Sequence, residues 1–394
     1  MMYSVKPKLV RITTVPVSLR LLLKGQMKYM KEQGFEVVMI SSPGADAELV
    51  EQQEQCEMIT IPMKRTVHPL ADLQSLIRLT RLLKNLEPDI VHTHTPKAGL
   101  LGMLAARLAG VPVRLHTVAG LPWMEQRGAG RFILKCMEQL TAVMAHRVYP
   151  NSTGLLQFLQ RERVATGKLK LLGAGSSNGI DCSYFSSEAL PAGTVAEMRQ
   201  KNTVATDAFV WIFAGRLVRE KGLHELLSAF LQLLSAFPQD QLWLLGAEEP
   251  ERDPLLPADR ALLQTHSSIR AFGFQQDVRP YLAAADVLVF PSYREGLPNV
   301  PLQAGAMGCA LLLSDSNGCN EIVEHGKNGL LVPPKQTKPL YEAMLLMRND
   351  QAQTKQWATL SRERIAARYN RTTVWKLVEA EYRELLAPKQ HQVS

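Results

Sequence analysis

The chain has 394 residues, more than one ordinary hydrophobic core organises, so two domains of roughly 150–200 residues each are expected. With 46% apolar and 21% charged residues it reads as a globular chain, not a disordered one, and no apolar run reaches the roughly 18–20 residues that span a bilayer. The net charge is +8, and the start of the chain carries no apolar core of a signal peptide, so an intracellular protein is expected.

The charge sits mainly in the front half. In residues 1–40 the bases Lys6, Lys8, Arg11, Arg20, Lys24, Lys28 and Lys31 face only Glu32 and Glu36. Residues 123–170 set eight bases, from Arg127 to Lys170, against Glu125, Glu138 and Glu162. Such a surface suits an anionic partner, a phospholipid face or a lipid diphosphate, unless it is only a solvated basic face. No aromatic–basic interleaving accompanies it, so nucleic acid is not expected. The cysteines Cys56, Cys136, Cys182, Cys309 and Cys319 are scattered and never spaced Cys-x-x-Cys, so buried reduced thiols are expected rather than disulfides or zinc.

In chain order, residues 8–15 and 36–41 read as strands, with a Leu/Met-rich helix at 19–33 between them. Residues 58–61 and 89–92 read as strands around a helix at 72–85. A small-residue helix at 97–109, a strand at 113–117, a helix at 130–145 and a strand at 147–150 follow. Leu140, Val143 and Met144 have helical spacing and are expected in the core. Strands alternating with helices argue for a parallel sheet covered on both faces. The glycine- and serine-rich stretch 173–181 is the best domain boundary. Beyond it strands are expected at 209–214, 241–245, 269–272, 286–291 and 310–314, with helices at 223–235, 278–284 and 300–307. Helices dominate from 337 to 386. The fold class is α/β, two doubly wound Rossmann-like domains (1–180 and 181–371) facing a central cleft where a ligand binds at the strands' carboxyl ends.

Two stretches carry the chemistry. In residues 213–222 an apolar strand ends at Gly215 and a helix starts near Gly222. The glycine lets amides approach a phosphate, and Arg216 and Lys221 can stabilise a leaving diphosphate. A surface turn with ordinary bases is the plain alternative. In residues 291–305 another buried-type strand runs through a turn into a helix. Glu295 lies just past the strand, and Leu297, Asn299 and Val300 offer amides at the helix start. Gln303 lies one turn in, where it can bond a ribose hydroxyl. His92, Thr93 and His94 follow a strand, so at least one imidazole is expected to face the cleft. Two histidines at i and i+2 can bind metal, but no third ligand is evident. His116 reads as cleft residue or satisfied core histidine.

With the strings at 318–323 (Gly-Cys-Asn-Glu-Ile-Val) and 326–332 (Gly-Lys-Asn-Gly-Leu-Leu-Val), these segments resemble the retaining GT-B glycosyltransferases of family 4, the glycosyltransferases group 1. The resemblance covers essentially the whole chain. The strings at 22–26, 92–99, 117–122, 149–152 and 176–181 are most similar to transferases of capsule, O-antigen and lipid-linked oligosaccharide assembly. The resemblance implies that Arg216 and Lys221 bind the donor diphosphate. It also implies that Glu295, first acid of a Glu-x7-Glu motif, contacts the transferred sugar, and that Gly273 and Phe274 turn near the nucleotide base. The front domain would then bind the acceptor, with Lys24, His94, Lys97, Thr117, Ala119 and Gly120 at its cleft. A helix at 372–388 would return to it. No metal or cofactor is implied, because cations and helix dipoles replace it.

The chain departs from the family pattern twice. Gln303 stands where the second acid is expected and carries no charge. Ala119 stands where many relatives have histidine. The expected reaction moves a hexose or N-acetylhexosamine from a UDP-sugar to a lipid-linked or oligosaccharide acceptor, at the cytoplasmic face of an anionic membrane. A nucleotide-sugar epimerase of the same architecture, and a non-catalytic sugar-nucleotide-binding protein, are the rival readings.

Overall fold

The computed structural model describes residues 6–387 apart from 65, 67, 125, 126, 250 and 252. Glu125, counted above among the acids, and Pro388, the last residue of the expected C-terminal helix, lie outside the described residues, as do residues 1–5. The chain divides into two compact units. One runs to Gly179 and resumes at Arg371; the other spans Ile180–Asn370.

The first unit contains β1 (Lys8–Ile12), α1 (Pro16–Leu22), α2 (Gln26–Glu32), β2 (Glu36–Ser41), α3 (Ala47–Glu54), β3 (Glu57–Thr60) and α4 (Pro69–Leu86). It continues with β4 (Ile90–His94), α5 (Pro96–Leu108), β5 (Val113–Val118), α6 (Gly128–Met144), β6 (Arg147–Pro150) and α7 (Thr153–Arg161). The strands pair in parallel in the order β3-β2-β1-β4-β5-β6. Successive side chains leave a strand on opposite faces, so Leu9, Val37, Met39 and Ile90 enter one core while Val10, Val38, Ile40 and Val91 enter the other. Helices cover both faces, which is why these strands read as near-continuous apolar runs.

The second unit contains α8 (Thr194–Lys201), β7 (Val210–Ala214), α9 (Leu223–Leu234), β8 (Gln241–Leu245), α10 (Pro257–Thr265), β9 (Ile269–Ala271), α11 (Arg279–Ala284) and β10 (Val287–Phe290). Then come α12 (Asn299–Ala306), β11 (Ala310–Ser314), α13 (Cys319–Ile322), β12 (Leu330–Val332), α14 (Thr337–Asn349) and α15 (Gln351–Tyr369). Its strands are parallel in the order β12-β11-β10-β7-β8-β9, the same topology as the first sheet when strands are counted from each unit's start. The last helix, α16 (Arg371–Leu386), seats Val378 and Tyr382 in the core of the first unit beside Leu9 and Phe35.

Three expectations fail. The single helix at 19–33 is two helices, broken at Gly25, whose φ is +83°. The break holds because buried Glu54 accepts from the amides of Gly25 (2.6 Å), Met27 and Lys28 (3.1 Å each), capping α2 with a carboxylate where the helix dipole favours one. Leu140 and Val143 are exposed rather than in the core, since α6 buries Glu138, Thr141 and Ala142 instead. Cys136, on the same exposed stripe, is solvent-facing, whereas Cys56, Cys309 and Cys319 are buried. The short helices α3, α7, α8, α10 and α13 were not expected from the pattern, and neither was β12.

Candidate functional site

In each sheet the strand order reverses between two neighbouring strands, β10 and β7 in the second unit and β4 and β1 in the first. Such a reversal opens a crevice at the carboxyl ends of the strands. Most of the residues singled out by sequence lie there; Lys24, Lys97, Gly273 and Phe274 do not.

In the second unit the loops after β7 and β10 are pressed together. Gly222 has φ +73°, and a Cβ there would lie 2.2 Å from the carbonyl oxygen of Pro291. Only glycine permits that approach. The amide of Tyr293 donates to the carbonyl of Glu220 at 2.9 Å, locking the two loops. As a result Lys221 Nζ donates to Glu295 Oε1 at 2.5 Å, with both side chains largely buried. The same ammonium stands 5.6 Å from the centre of the Phe290 ring. Arg216 donates to Glu249 (2.7 Å) and Glu220 (2.8 Å), and Arg294 donates to Glu220 at 3.2 Å. Burial works to lower the Arg216 pKa, but its bonds to Glu249 and Glu220 win and raise it. Burial likewise works to raise Glu220, and Arg294, Arg216 and Lys221 hold it below the usual carboxylate range.

Beside these cations, α12 starts at Asn299 with no side-chain cap, so the amides of its first turn, including Asn299 and Val300, stay available. Asn317 Nδ2 donates to the carbonyls of Glu295 (2.8 Å) and Gly296 (3.1 Å) and fixes this turn. Leu297 is buried beneath it, and Gln303 is half-buried one turn along. Gly215 follows β7, with its amide donating to the carbonyl of Leu245 at 2.9 Å. Gly273 follows β9 and accepts from the Gly246 amide at 2.8 Å, while Phe274 projects outward, 68% exposed. Two cations, an uncapped helix start and a carboxylate on adjoining loops can receive an anion and position a polar group next to it.

The first unit places a different chemistry at its crevice. His92 and His94, two apart on β4, point to the same face and stack at 4.6 Å. Arg11 on β1 is fully buried beside them, and its Nη1 donates to His92 Nδ1. A guanidinium only donates, so that Nδ1 carries no proton and the ring proton sits on Nε2. Nε2 then donates to Thr117 Oγ1 at 2.7 Å, which leaves the hydroxyl proton of Thr117 for another acceptor. Tyr382 of α16 also reaches Nδ1, at 2.6 Å. Burial first, and the charge of Arg11 second, push both His92 and His94 well below the ordinary histidine value, so both rings are neutral.

His94, Thr117, Ala119 and Gly120 line a cavity of about 110 Å³ together with Pro96 and His116. A smaller adjoining cavity is floored by Arg11 and Gln26. His94 Nε2, Gln26 Oε1, Asn151 Oδ1 and Ser177 Oγ border these cavities, and none has a hydrogen-bond partner among the described residues. Thr95, a β-branched residue at φ +73°, forms the wall and is held by Thr14 at 2.7 Å. That conformation costs roughly 1–3 kcal/mol and tends to occur at functional sites. His116 bonds Thr93 at 2.8 Å and is buried.

Two expected cleft residues stand apart from the cavities. Lys97 is buried and donates to Asp72 at 2.5 Å. Lys24 is exposed, and its carbonyl accepts from Asn178 at 3.0 Å. Sequence reasoning passed over Arg11, Gln26, Glu220 and Glu249. A charged residue inside the apolar run Leu-Val-Arg-Ile was the available signal for Arg11, and the acidic pair after Gly246, at a strand end, was the one for Glu249.

Residues 208–350 match the family described as Glycosyl transferases group 1, and residues 23–175 match the Glycosyl transferase 4-like domain. A capsular polysaccharide biosynthesis glycosyltransferase of Staphylococcus aureus, CapM, is 28% identical over 380 residues, 96% of this chain and 97% of its own. An Escherichia coli UDP-Gal:alpha-D-GlcNAc-diphosphoundecaprenol alpha-1,3-galactosyltransferase is 28% identical over 291 residues, 73% of each chain. Among solved structures, Anabaena HepE, crystallised with UDP, has a TM-score of 0.81 at 20% identity, over 96% of this chain and 100% of its own. With two like-wound parallel sheets and family matches in both halves, the chain has the GT-B fold and belongs to the group 1 glycosyltransferases.

Proposed function

We propose that the chain transfers a hexose or N-acetylhexosamine from a UDP-sugar to a lipid-diphosphate-linked glycan, with retention at the anomeric carbon, during surface polysaccharide synthesis. The observation that carries the reading is the Lys221–Glu295 pair beside Arg216 at the carboxyl edge of the second sheet. Arg216, Lys221 and the open amides of α12 take the charge of the departing diphosphate. Glu295, fixed through Lys221 and Asn317, holds hydroxyls of the transferred sugar. An oxygen of the leaving diphosphate accepts the proton of the attacking hydroxyl on the face it departs from, so the new bond keeps the old configuration. The protein's own cations do the work of charge stabilisation, so no metal is needed.

The acceptor meets the neutral pocket of the first unit, where Thr117 has a proton to give and His94 lines the wall. The E. coli relative and a Campylobacter jejuni relative, an N,N'-diacetylbacillosaminyl-diphospho-undecaprenol alpha-1,3-N-acetylgalactosaminyltransferase 25% identical over 297 residues, are named for lipid-diphosphate acceptors. The basic front half suits such an acceptor at an anionic membrane face. The test is a donor panel with membrane extract as acceptor source, following UDP release and labelled lipid product. A UDP-sugar is expected to give product with the wild-type protein and about a hundredfold less with Glu295→Ala. Wild-type rates in Glu295→Ala and Arg216→Ala would overturn the site assignment.

A further inference from the structure

Among the described residues, half of the large apolar side chains that stand exposed lie on α4, α5 and α6 of the first unit. On α4 they are Leu70 (80% exposed), Leu73 and Ile77, on α5 Leu108, and on α6 Phe132 (70% exposed), Ile133, Leu140 and Val143. On α4 and α6 the spacing is helical, so each of these two helices shows an outward apolar stripe, and the mostly buried α5 adds Leu108 at its end. α5 packs between α4 and α6, and all three bury their inner sides in one core on the same face of the sheet. Their outward sides therefore form one surface.

This surface is also basic. The outward stripe of α4 continues through Arg78 and Arg81 to Lys84, all exposed, and Arg127 precedes α6. The only acid on α4 between Leu70 and Lys84 is Asp72, which Lys97 engages, and the only acid within α6, Glu138, is buried. In a βαβ unit the helix runs back against the strands, so Leu70, Leu73, Phe132 and Ile133, near the helix starts, lie toward the carboxyl edge of the sheet. The acceptor cavity opens on that edge, with Pro96 of α5 and Glu138 of α6 in its lining.

We infer that the α4–α6 face is the surface by which this protein lies on an anionic lipid bilayer, with Leu70, Leu73, Phe132 and Ile133 entering the acyl boundary and Arg78, Arg81 and Lys84 meeting headgroups. Its consequence, delivery of a lipid-held acceptor to the cavity beside it, rests on the transferase reading; the docking itself does not. Among the described residues no helix is long and apolar enough to cross a membrane, and apolar stripes flanked by bases are what a surface-lying protein uses. Charge complementarity selects this occupant over a second copy, because a two-fold contact through this face would set like bases against one another.

The experiment is sedimentation of the full chain with vesicles, either phosphatidylcholine alone or equal parts phosphatidylcholine and phosphatidylglycerol. The wild-type protein is expected to bind the mixed vesicles about tenfold more tightly than the neutral ones. Phe132→Ser with Ile133→Ser, and independently Leu70→Ser with Leu73→Ser, should each weaken that binding about tenfold. If one pair fails to fold, judged by circular dichroism melting, the other pair still decides. Wild-type protein left in the supernatant, variants that bind as the wild type does, or a dimer that the variants convert to monomer would each overturn the inference. UDP binding in solution, measured on the same preparations, reports separately on the donor site, so failure of the transferase reading is distinguishable from failure of the docking surface.

Discussion

The two units share one topology and put their chemistry at the same topological point, yet the two crevices differ in charge. The second carries Arg216 and Lys221 already engaged by Glu249, Glu220 and Glu295. The first carries two neutral imidazoles over a buried Arg11, kept free of protons by burial first and by the charge of Arg11 second. A shared winding sets where a site forms, and the strand-end residues decide what it can hold. On the proposed reading, the charged crevice exchanges its carboxylates for a diphosphate. The neutral one is built to donate and accept single hydrogen bonds, with the direction of each bond set by one tautomer.

The comparison breaks most sharply at Lys221. Lys221→Met leaves Glu295 without its cation and is expected to slow transfer about 10²–10³-fold. Removing the charge of Arg11 by Arg11→Met should leave UDP affinity in calorimetry unchanged. Next comes His92→Phe, which takes the acceptor from a buried guanidinium and the fixed donor from Thr117. A loss of about 3 kcal/mol in urea unfolding is expected, and less for His92→Gln, which keeps an acceptor.

The third effect is one of pH. His92 and His94 are depressed well below 6.5, so an unfolded chain takes up protons that the folded one refuses. Stability is therefore full above about pH 6.5 and falls as the pH drops below it, by at most about 1.4 kcal/mol per pH unit for each ring. Melting temperature measured from pH 5 to 7.5 should show this slope, and His92→Gln should flatten it. A slope unchanged in that variant would place the proton uptake elsewhere. The smallest effect is Gln303→Glu, which supplies the second carboxylate of the family motif. A shift of about two- to fivefold in the donor KM with kcat nearly constant is expected, as for a group that binds ground state and transition state alike.

Much of the second crevice was legible in the chain because its parts are local. A buried strand, a glycine, a cation or acid and a helix start within ten to fifteen residues specify a strand–turn–helix, and Gly215, Lys221, Glu295 and Asn299 each lie where that pattern puts them. The first crevice was less legible because its bonds span long separations. Arg11 meets His92 81 residues away, and His92 meets Tyr382 290 residues away. The break at Gly25 was hidden for the same reason, since the capping carboxylate, Glu54, comes from another helix. Leu140 and Val143 were misread because α6 is apolar on two sides. Periodicity identifies the stripes of such a helix but not which of them meets the core.

Sequence alone thus determined the alternation of strands and helices, the break near residue 180 and the family, because these rest on spacing and local backbone preference. The tertiary structure alone decided which histidine nitrogen carries the proton, which carboxylates hold Arg216, and which face of α6 stays in solvent. Those outcomes depend on burial and on partners brought together from distant segments, and spacing along the chain does not encode them.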